Sequence, residues 1–267
     1  MSKCTNFCSF CPQEVFQERY RGCSSLSFEN FKTILSNVPK NVSIHFSGFA
    51  EPFLNAECVK MIEHAHAMGY EVQLFSTLVG LKAEDVKRIQ SCVDRLVLHL
   101  PDCFGYAKIP VTESYKDTLA NVLTLMRVDE FVAMGDNLVI DPRAGLLENV
   151  PANHVHGKFY CIKLIDPQFV MHPNCDVVLC CMDFGLKHNL GNLLNKSFMT
   201  LARSDEFRKV SSGRFKMDDD TICRMCAQAV PIYNLPLYRR SARKVFYSMT
   251  SILNKVLDRK TKQSVIE

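Results

Sequence analysis

Cys4-Thr-Asn-Phe-Cys8-Ser-Phe-Cys11-Pro12 places three thiols within eight residues, spaced C-x3-C-x2-C. Thiolates at this loop spacing suit three corners of a [4Fe-4S] cube and leave the fourth iron without a protein ligand. Zinc is the competing reading, but a structural zinc site wants four ligands close together. The nearest histidine, His45, lies far along the chain. Later motifs favour the cube.

Beyond the loop the apolar periodicity alternates between helix and strand. Ser27 is placed to cap a helix running to Asn37, with Phe28, Phe31, Ile34 and Leu35 on one face. Val42 to Phe46 is β-rich, and Ala56 to Met68 is helical in pattern with Gly69 as its C-cap. Glu71 to Phe75, Arg95 to Leu100 and Asn137 to Ile140 read as further strands, with helices at Lys82 to Ser91 and Ser114 to Arg127. Strands joined by helical crossovers pair in parallel. The expected class is α/β, a partial (β/α) barrel that ends near Ile140.

Such folds bind ligands in the loops at the carboxyl ends of their strands. Three loops qualify here: Ser47-Gly48-Phe49-Ala50-Glu51-Pro52, Ser76-Thr77-Leu78-Val79-Gly80, and His99-Leu100-Pro101-Asp102.

The Cys triplet, with aromatic Phe10 before its third Cys, resembles the radical S-adenosylmethionine (radical SAM) signature C-x3-C-x-aromatic-C. Gly48-Phe49-Ala50-Glu51-Pro52 resembles that superfamily's Gly-Gly-Glu-Pro motif, with Ala50 in place of a Gly. The resemblance implies that Cys4, Cys8 and Cys11 hold a [4Fe-4S] cluster whose open iron chelates S-adenosylmethionine, the source of a hydrogen-abstracting 5'-deoxyadenosyl radical. It also implies cofactor contacts from Phe10, Gly48, Phe49, Ala50, Glu51 and Ser76, with Asp102 placed to accept from ribose hydroxyls or to serve as a turn residue. Two departures stand out. No strand is encoded before Cys4, as if the barrel lacked its first strand or the chain began truncated, and the Ser76 to Gly80 loop lacks the Asn of the family's Thr-Asn-Gly segment.

A second set of thiols lies further on. Cys161 precedes two short β runs, Gln168 to Met171 and Asp176 to Leu179. Cys180-Cys181 follows, then a helix over Ser197 to Val210, then Cys223-Arg-Met-Cys226. Four thiolates would complete a second cube with no open iron, and zinc would suit four Cys equally well. The layout resembles the single-cluster twitch form of the SPASM extensions. That resemblance implies Cys161, Cys180, Cys223 and Cys226 as ligands, with Cys181 the substitute for Cys180. Cys175 stands where the SPASM pattern has a Gly, with four residues between it and Cys180. Cys23, Cys58, Cys92 and Cys103 read as inert thiols. Asp141 to Pro151 and Cys180-Cys181-Met-Asp183-Phe resemble stretches of 2-deoxy-scyllo-inosamine dehydrogenase-like enzymes, which implies that Arg143 faces substrate and that Asp183 anchors a substrate amine or hydroxyl. A linker salt bridge and a turn residue are the plainer readings of these two.

Composition bounds the rest. With 267 residues, 47% hydrophobic and 22% charged, the chain can bury a sizeable core, and it has no apolar run of membrane-spanning length. No basic-then-apolar leader is visible. Thirteen clustered Cys without one argue for metal sites in a reducing compartment, hence a cytoplasmic protein. The net charge of +4 is too small to indicate nucleic acid. From Arg239 onward eight basic residues face two acidic ones, a net of +6, so residues 1–238 carry −2. Val245, Phe246, Met249, Ile252, Leu253, Val256 and Leu257 recur at helical spacing there, giving a basic amphipathic helix that packs on the barrel or touches an anionic membrane.

The expected organisation is a radical SAM partial barrel over 1–141, a twitch-like iron-sulfur domain over 142–236, and the basic helix over 237–267. The expected activity is dehydrogenation of an alcohol carbon on a small sugar- or cyclitol-like substrate. It would use two [4Fe-4S] clusters, S-adenosylmethionine and a flavodoxin or ferredoxin electron donor, with the second cluster taking the leftover electron. A peptide-modifying maturase and a non-catalytic zinc or iron-sulfur binding protein are the rivals.

Overall fold

The structure is a computed structural model that describes residues 1–102, 104–133, 141–148, 150–152, 154–161, 163, 167–211 and 221–231. The strand expected at Asn137–Ile140, the thiol of Cys103 and the basic C-terminal helix lie outside these residues.

Four parallel strands, β1 (Ile44–Phe46), β2 (Val72–Ser76), β3 (Arg95–Leu100) and β4 (Glu130–Ala133), line up in chain order with β1 at one edge. The fourth strand thus comes directly after the helix that ends at Leu125. Asp129 anchors its start, its side chain accepting the Leu96 N–H at 3.0 Å while its own N–H donates to Leu96 O at 2.9 Å. The intervening helices are α2 (Phe28–Leu35), α3 (Cys58–Ala67), the short α4 (Val86–Ile89) and α5 (Glu113–Leu125); α1 (Gln13–Arg19) precedes them.

Local chemistry explains the boundaries. Ser27 caps α2 by accepting from Asn30 N, and Thr112 caps α5 by accepting from Tyr115 N. Gly69 (φ +78°) ends α3 in the left-handed conformation. The helix expected at Lys82 to Ser91 is shorter, because its first turn is the 3-10 helix Ala83–Asp85. Leu74, Leu96, Leu98, Phe31, Ile62, Ile89 and Val122 form the principal core, with β3 buried through its middle as a strand covered on both faces must be.

A second core lies under β5 (Phe159–Cys161) paired with β9 (Ala229–Pro231), and under the antiparallel sheet β6 (Val170–Met171), β7 (Asp176–Val178) and β8 (Asn189–Asn192). The helix expected over Ser197 to Val210 is two pieces, α6 (Phe198–Leu201) and α7 (Asp205–Ser211). Ser204 breaks the run by accepting from Phe207 N and starting α7 afresh. Cys175 (φ +70°) closes the β6–β7 hairpin and donates its N–H to His172 O at 2.8 Å. That left-handed corner gives a physical reason for a Gly at the matching position of the SPASM pattern.

The two cores meet at a small aromatic cluster. Phe49 stacks on Phe184 with centroids 3.9 Å apart, and Phe16 meets Phe49 edge-on. His172 packs among Phe16, Tyr20 and Phe49, and burial holds its imidazole neutral, with its pKa lowered to about 4. Among the described residues, no helix is long and apolar enough to cross a membrane.

Gly80 (φ +93°) locks the loop after β2 onto the segment after β1. A Cβ there would lie 2.5 Å from the Phe53 carbonyl oxygen, against backbone that cannot turn aside. Gly80→Ala is expected to cost about 2–5 kcal/mol, from left-handed strain plus overpacking. In a thermal melt the midpoint should fall by roughly 5–15 °C. Gly105 (φ +76°) faces open space, so Gly105→Ala carries the strain alone and should fall by only a third or so of that. Equal melting of the two variants would show that the close approach is not real.

Candidate iron-sulfur and cofactor site

The Cys4 to Cys11 loop lies across the carboxyl ends of the parallel strands. The buried Asn6 amide donates to Thr77 Oγ1 at 2.9 Å, beyond β2. Ser9 N–H donates to Tyr106 O at 2.7 Å, and Lys108 N–H donates to Asn6 O at 2.6 Å, both beyond β3. Arg143 Nε donates to Phe10 O at 3.2 Å.

Within this frame Cys4, Cys8 and Cys11 are half-buried free thiols close enough to perturb one another. Burial pushes Cys8 up to about 12, with Cys11 and Cys4 adding to the shift. Cys11 is pushed up to about 11 by burial, while the Arg143 guanidinium favours its thiolate. A cationic iron cluster would displace these protons, so the donor set fits one.

Gly48 (φ +117°) is exposed at the turn after β1, Ala50 is half-buried, and Phe49 is buried in the aromatic cluster with its carbonyl accepting from the Gln13 side-chain amide. Glu51 is 5% exposed, and its carboxylate is held by four donors of the protein. Its Oε1 accepts from Ser76 Oγ at 2.6 Å and Phe53 N at 3.3 Å. Its Oε2 accepts from Thr77 N at 2.8 Å and Thr77 Oγ1 at 2.7 Å. Burial nonetheless pushes its pKa upward against these donors. Glu51 and Ser76 therefore clasp the first two loops together, and through Thr77 and Asn6 they support the Cys loop. Asp102 accepts the N–H groups of Phe104 and Tyr106 at Oδ1 and of Ala107 at Oδ2, each at 2.8 Å. Desolvation opposes its ionised form, but these backbone donors prevail and hold its pKa low. It shapes the loop that carries Tyr106 and Lys108.

The second set of thiols also comes together. Cys161, Cys180, Cys181, Cys223 and Cys226 line one cavity, with Lys163, Gln168, Met182 and Gln228. Its walls are the ends of β5 and β7, the 3-10 turn Ile222–Met225 and the start of β9. Burial raises Cys180, pushes Cys223 up to about 12 and pushes Cys226 up to about 11. The Met182 N–H favours the Cys180 thiolate, whereas Cys181 is exposed. A cavity walled by five thiols fits a cluster that asks for four. Among the described residues no group of three or more His, Cys, Asp or Glu forms a preassembled site for a single metal ion.

Arg143 stands between the two sets. It is the first of three consecutive left-handed residues, Arg143 (φ +49°), Ala144 (φ +56°) and Gly145 (φ +80°). From there it reaches Phe10 O on one side, with Nη1 4.0 Å from Met182 Sδ on the other. Its N–H donates to Asp141 Oδ1 at 2.7 Å, and the Gly145 backbone lies against Met225. Asp183 is 0% exposed, and its oxygens accept from Lys187 N at 2.8 Å and His188 N at 2.7 Å. In this arrangement it closes a turn.

Three groups were missed in sequence: Asn6, Gln13 and the buried pair His188 and Thr221. Nothing in their local spacing marks them, since their partners come from distant segments.

Residues 161–227 match the SPASM family, an iron-sulfur cluster-binding domain. No curated protein matches the chain by sequence. Among solved structures the chain resembles BtrN in complex with AdoMet and 2-DOIA, with TM-score 0.62 and 16% identity over 86% of this chain and 90% of that one. It also resembles native anSMEcpe with bound AdoMet and Kp18Cys peptide, with TM-score 0.53 and 14% identity over 96% of each chain. At these identities the likeness speaks for the fold alone.

Proposed function

We propose that this chain is a radical SAM oxidoreductase that dehydrogenates an alcohol carbon of a small, polar, sugar- or cyclitol-like substrate. The observation that carries the reading is the pair of thiol sets, one of three across the strand ends and one of five in a single cavity, with Arg143 between them. Cys4, Cys8 and Cys11 would hold a [4Fe-4S] cluster with S-adenosylmethionine, and Cys161, Cys180, Cys223 and Cys226 a second cube. Bound there, these groups supply a hydrogen-abstracting radical at one place and a one-electron acceptor at the other, as oxidation of an alcohol requires.

The chain's own residues do the rest. Glu51, Ser76 and Thr77 keep the cofactor loops in register through a buried hydrogen-bonded clasp. Arg143, whose planar fork suits hydroxyl oxygens, binds the substrate beside the reacting carbon and favours loss of the hydroxyl proton. Asp183 serves by holding the turn after Cys180 and Cys181. A flavodoxin or ferredoxin would deliver the electron that starts each turnover, in a reducing, cytoplasmic setting. A peptide substrate is the second reading, favoured by the likeness to anSMEcpe with its bound peptide.

The test is to supply reduced protein with aminocyclitols, amino sugars and cysteine-containing peptides, each deuterated at the candidate carbon. Deuterium is expected in 5'-deoxyadenosine with an aminocyclitol or sugar, together with its ketone. Label from the peptide alone would favour the maturase, and no 5'-deoxyadenosine with any of them would reject both.

A further inference from the structure

His188 is 4% exposed and carries no part of the chemistry described so far. Its backbone is pinned by Asp183, which accepts its N–H at 2.7 Å. Its Nδ1 lies 2.5 Å from Glu206 Oε1, on the first turn of α7, where the carboxylate is a third exposed. Its Nε2 lies 3.0 Å from Thr221 Oγ1, and Thr221 is itself 4% exposed. Thr221 caps the turn that bears Cys223, accepting the Cys223 N–H at 3.4 Å. Its hydroxyl also favours the Cys223 thiolate, against a larger upward push from burial. A hydrogen-bonded chain thus runs from the surface to the backbone N–H of Cys223, one of the cysteines of the five-thiol cavity. It joins three segments that are far apart in sequence.

Hydrogen bonds around a ligating sulfur are among the levers that set a cluster's reduction potential. Groups that orient ligands from behind are part of a metal site as much as the ligands are. A hydroxyl rotates to suit its partners, so its direction is decided by what holds its oxygen. Here that group is an imidazole, itself fixed at its other nitrogen by a carboxylate.

We propose that Glu206, His188 and Thr221 are positioning residues for the second cluster: Glu206 orients the imidazole, the imidazole holds the Thr221 hydroxyl against Cys223, and the hydroxyl sets the potential at which the cluster accepts an electron. The proposal rests on the reading that the five-thiol cavity holds a [4Fe-4S] cluster.

The experiment is anaerobic reconstitution of the full chain, with iron counted and the second cluster's midpoint potential followed by electron paramagnetic resonance. Cys4, Cys8 and Cys11 are replaced together by Ala so that one cluster is observed. The parent should hold about four irons in this background. Thr221→Val should keep them but become harder to reduce. The expected drop is about tenfold in the reduced-to-oxidised ratio at fixed applied potential, or about 59 mV for one electron. Thr221→Ser, which restores the hydroxyl, should return to the parent value. If Thr221→Val loses its iron, Glu206→Gln carries the test, because it leaves every ligand and the hydroxyl in place and should still move the midpoint. Four irons with unshifted midpoints in both variants would overturn the proposal and leave the cluster reading standing. Absence of iron from the parent, or zinc in its stead, would remove the cluster reading itself.

Discussion

Cys8→Ala is expected to abolish 5'-deoxyadenosine formation and to cut iron from about eight to about four per reconstituted chain. Cys8 is a half-buried thiol in a loop held from three directions, by Thr77 at Asn6, by Tyr106 at Ser9 and by Arg143 at Phe10. Those restraints keep the loop in place when one thiol is lost, so the loss should be local. A cube with two protein ligands is not retained, and without it no site remains for the cofactor's chelating groups. The far-ultraviolet circular dichroism should be unchanged, and the electron paramagnetic resonance signal of the second cluster should persist. Wild-type 5'-deoxyadenosine yield from Cys8→Ala would eliminate the triplet as the radical-generating site.

Cys180→Ala should produce the complementary phenotype: cofactor cleavage continues, but substrate oxidation falls by more than about a hundredfold. Loss of supporting residues around a metal typically costs 10–100-fold, and loss of a ligand should cost at least that. Iron should again fall to about four per chain, this time with the first cluster remaining. The neighbouring Cys181→Ala is the control that gives the experiment its resolution. Both thiols line the cavity, but Cys180 is half-buried with the Met182 N–H favouring its thiolate, whereas Cys181 is exposed. A buried thiol with a donor aimed at it is the better ligand, so Cys181→Ala should keep both clusters and most of its turnover. The reverse pattern, with Cys181→Ala deficient and Cys180→Ala competent, would exchange the two assignments. Retention of full activity by both would dismiss an electron-accepting role for the cavity.

The parallel sheet was legible because its signals are local. Apolar runs such as Arg95 to Leu100, helix caps such as Ser27 and stops such as Gly69 act within a turn or two of where they stand. The failures have equally local causes. Asn-Leu-Gly-Asn at 189–192 carries no β-rich signature, and it becomes a strand because β7 lies beside it. The Ser197 to Val210 periodicity continues unbroken in sequence, yet the Ser204 hydroxyl stops one helix and starts another. Side-chain roles were harder still. Glu51 and Asp102 sit in loops where a ligand is expected, and the sequence does not show that each carboxylate also accepts from neighbouring backbone or a neighbouring loop. A motif marks where a carboxylate stands and is silent about what surrounds it.

By itself the sequence determined the chemistry on offer: which thiols are close enough along the chain to share a cluster, and which loops end strands. Spacing and periodicity are properties of the chain before it folds, so they can be read there. Tertiary structure alone decided which groups are partners. It set Arg143 between the two thiol sets and joined Glu206, His188 and Thr221 into a chain behind Cys223, while the five cysteines that the family resemblance had already grouped, spread over 66 residues, line one cavity. Hydrogen bonds and burial depend on distance in space, and residues far apart in sequence carry no record of it.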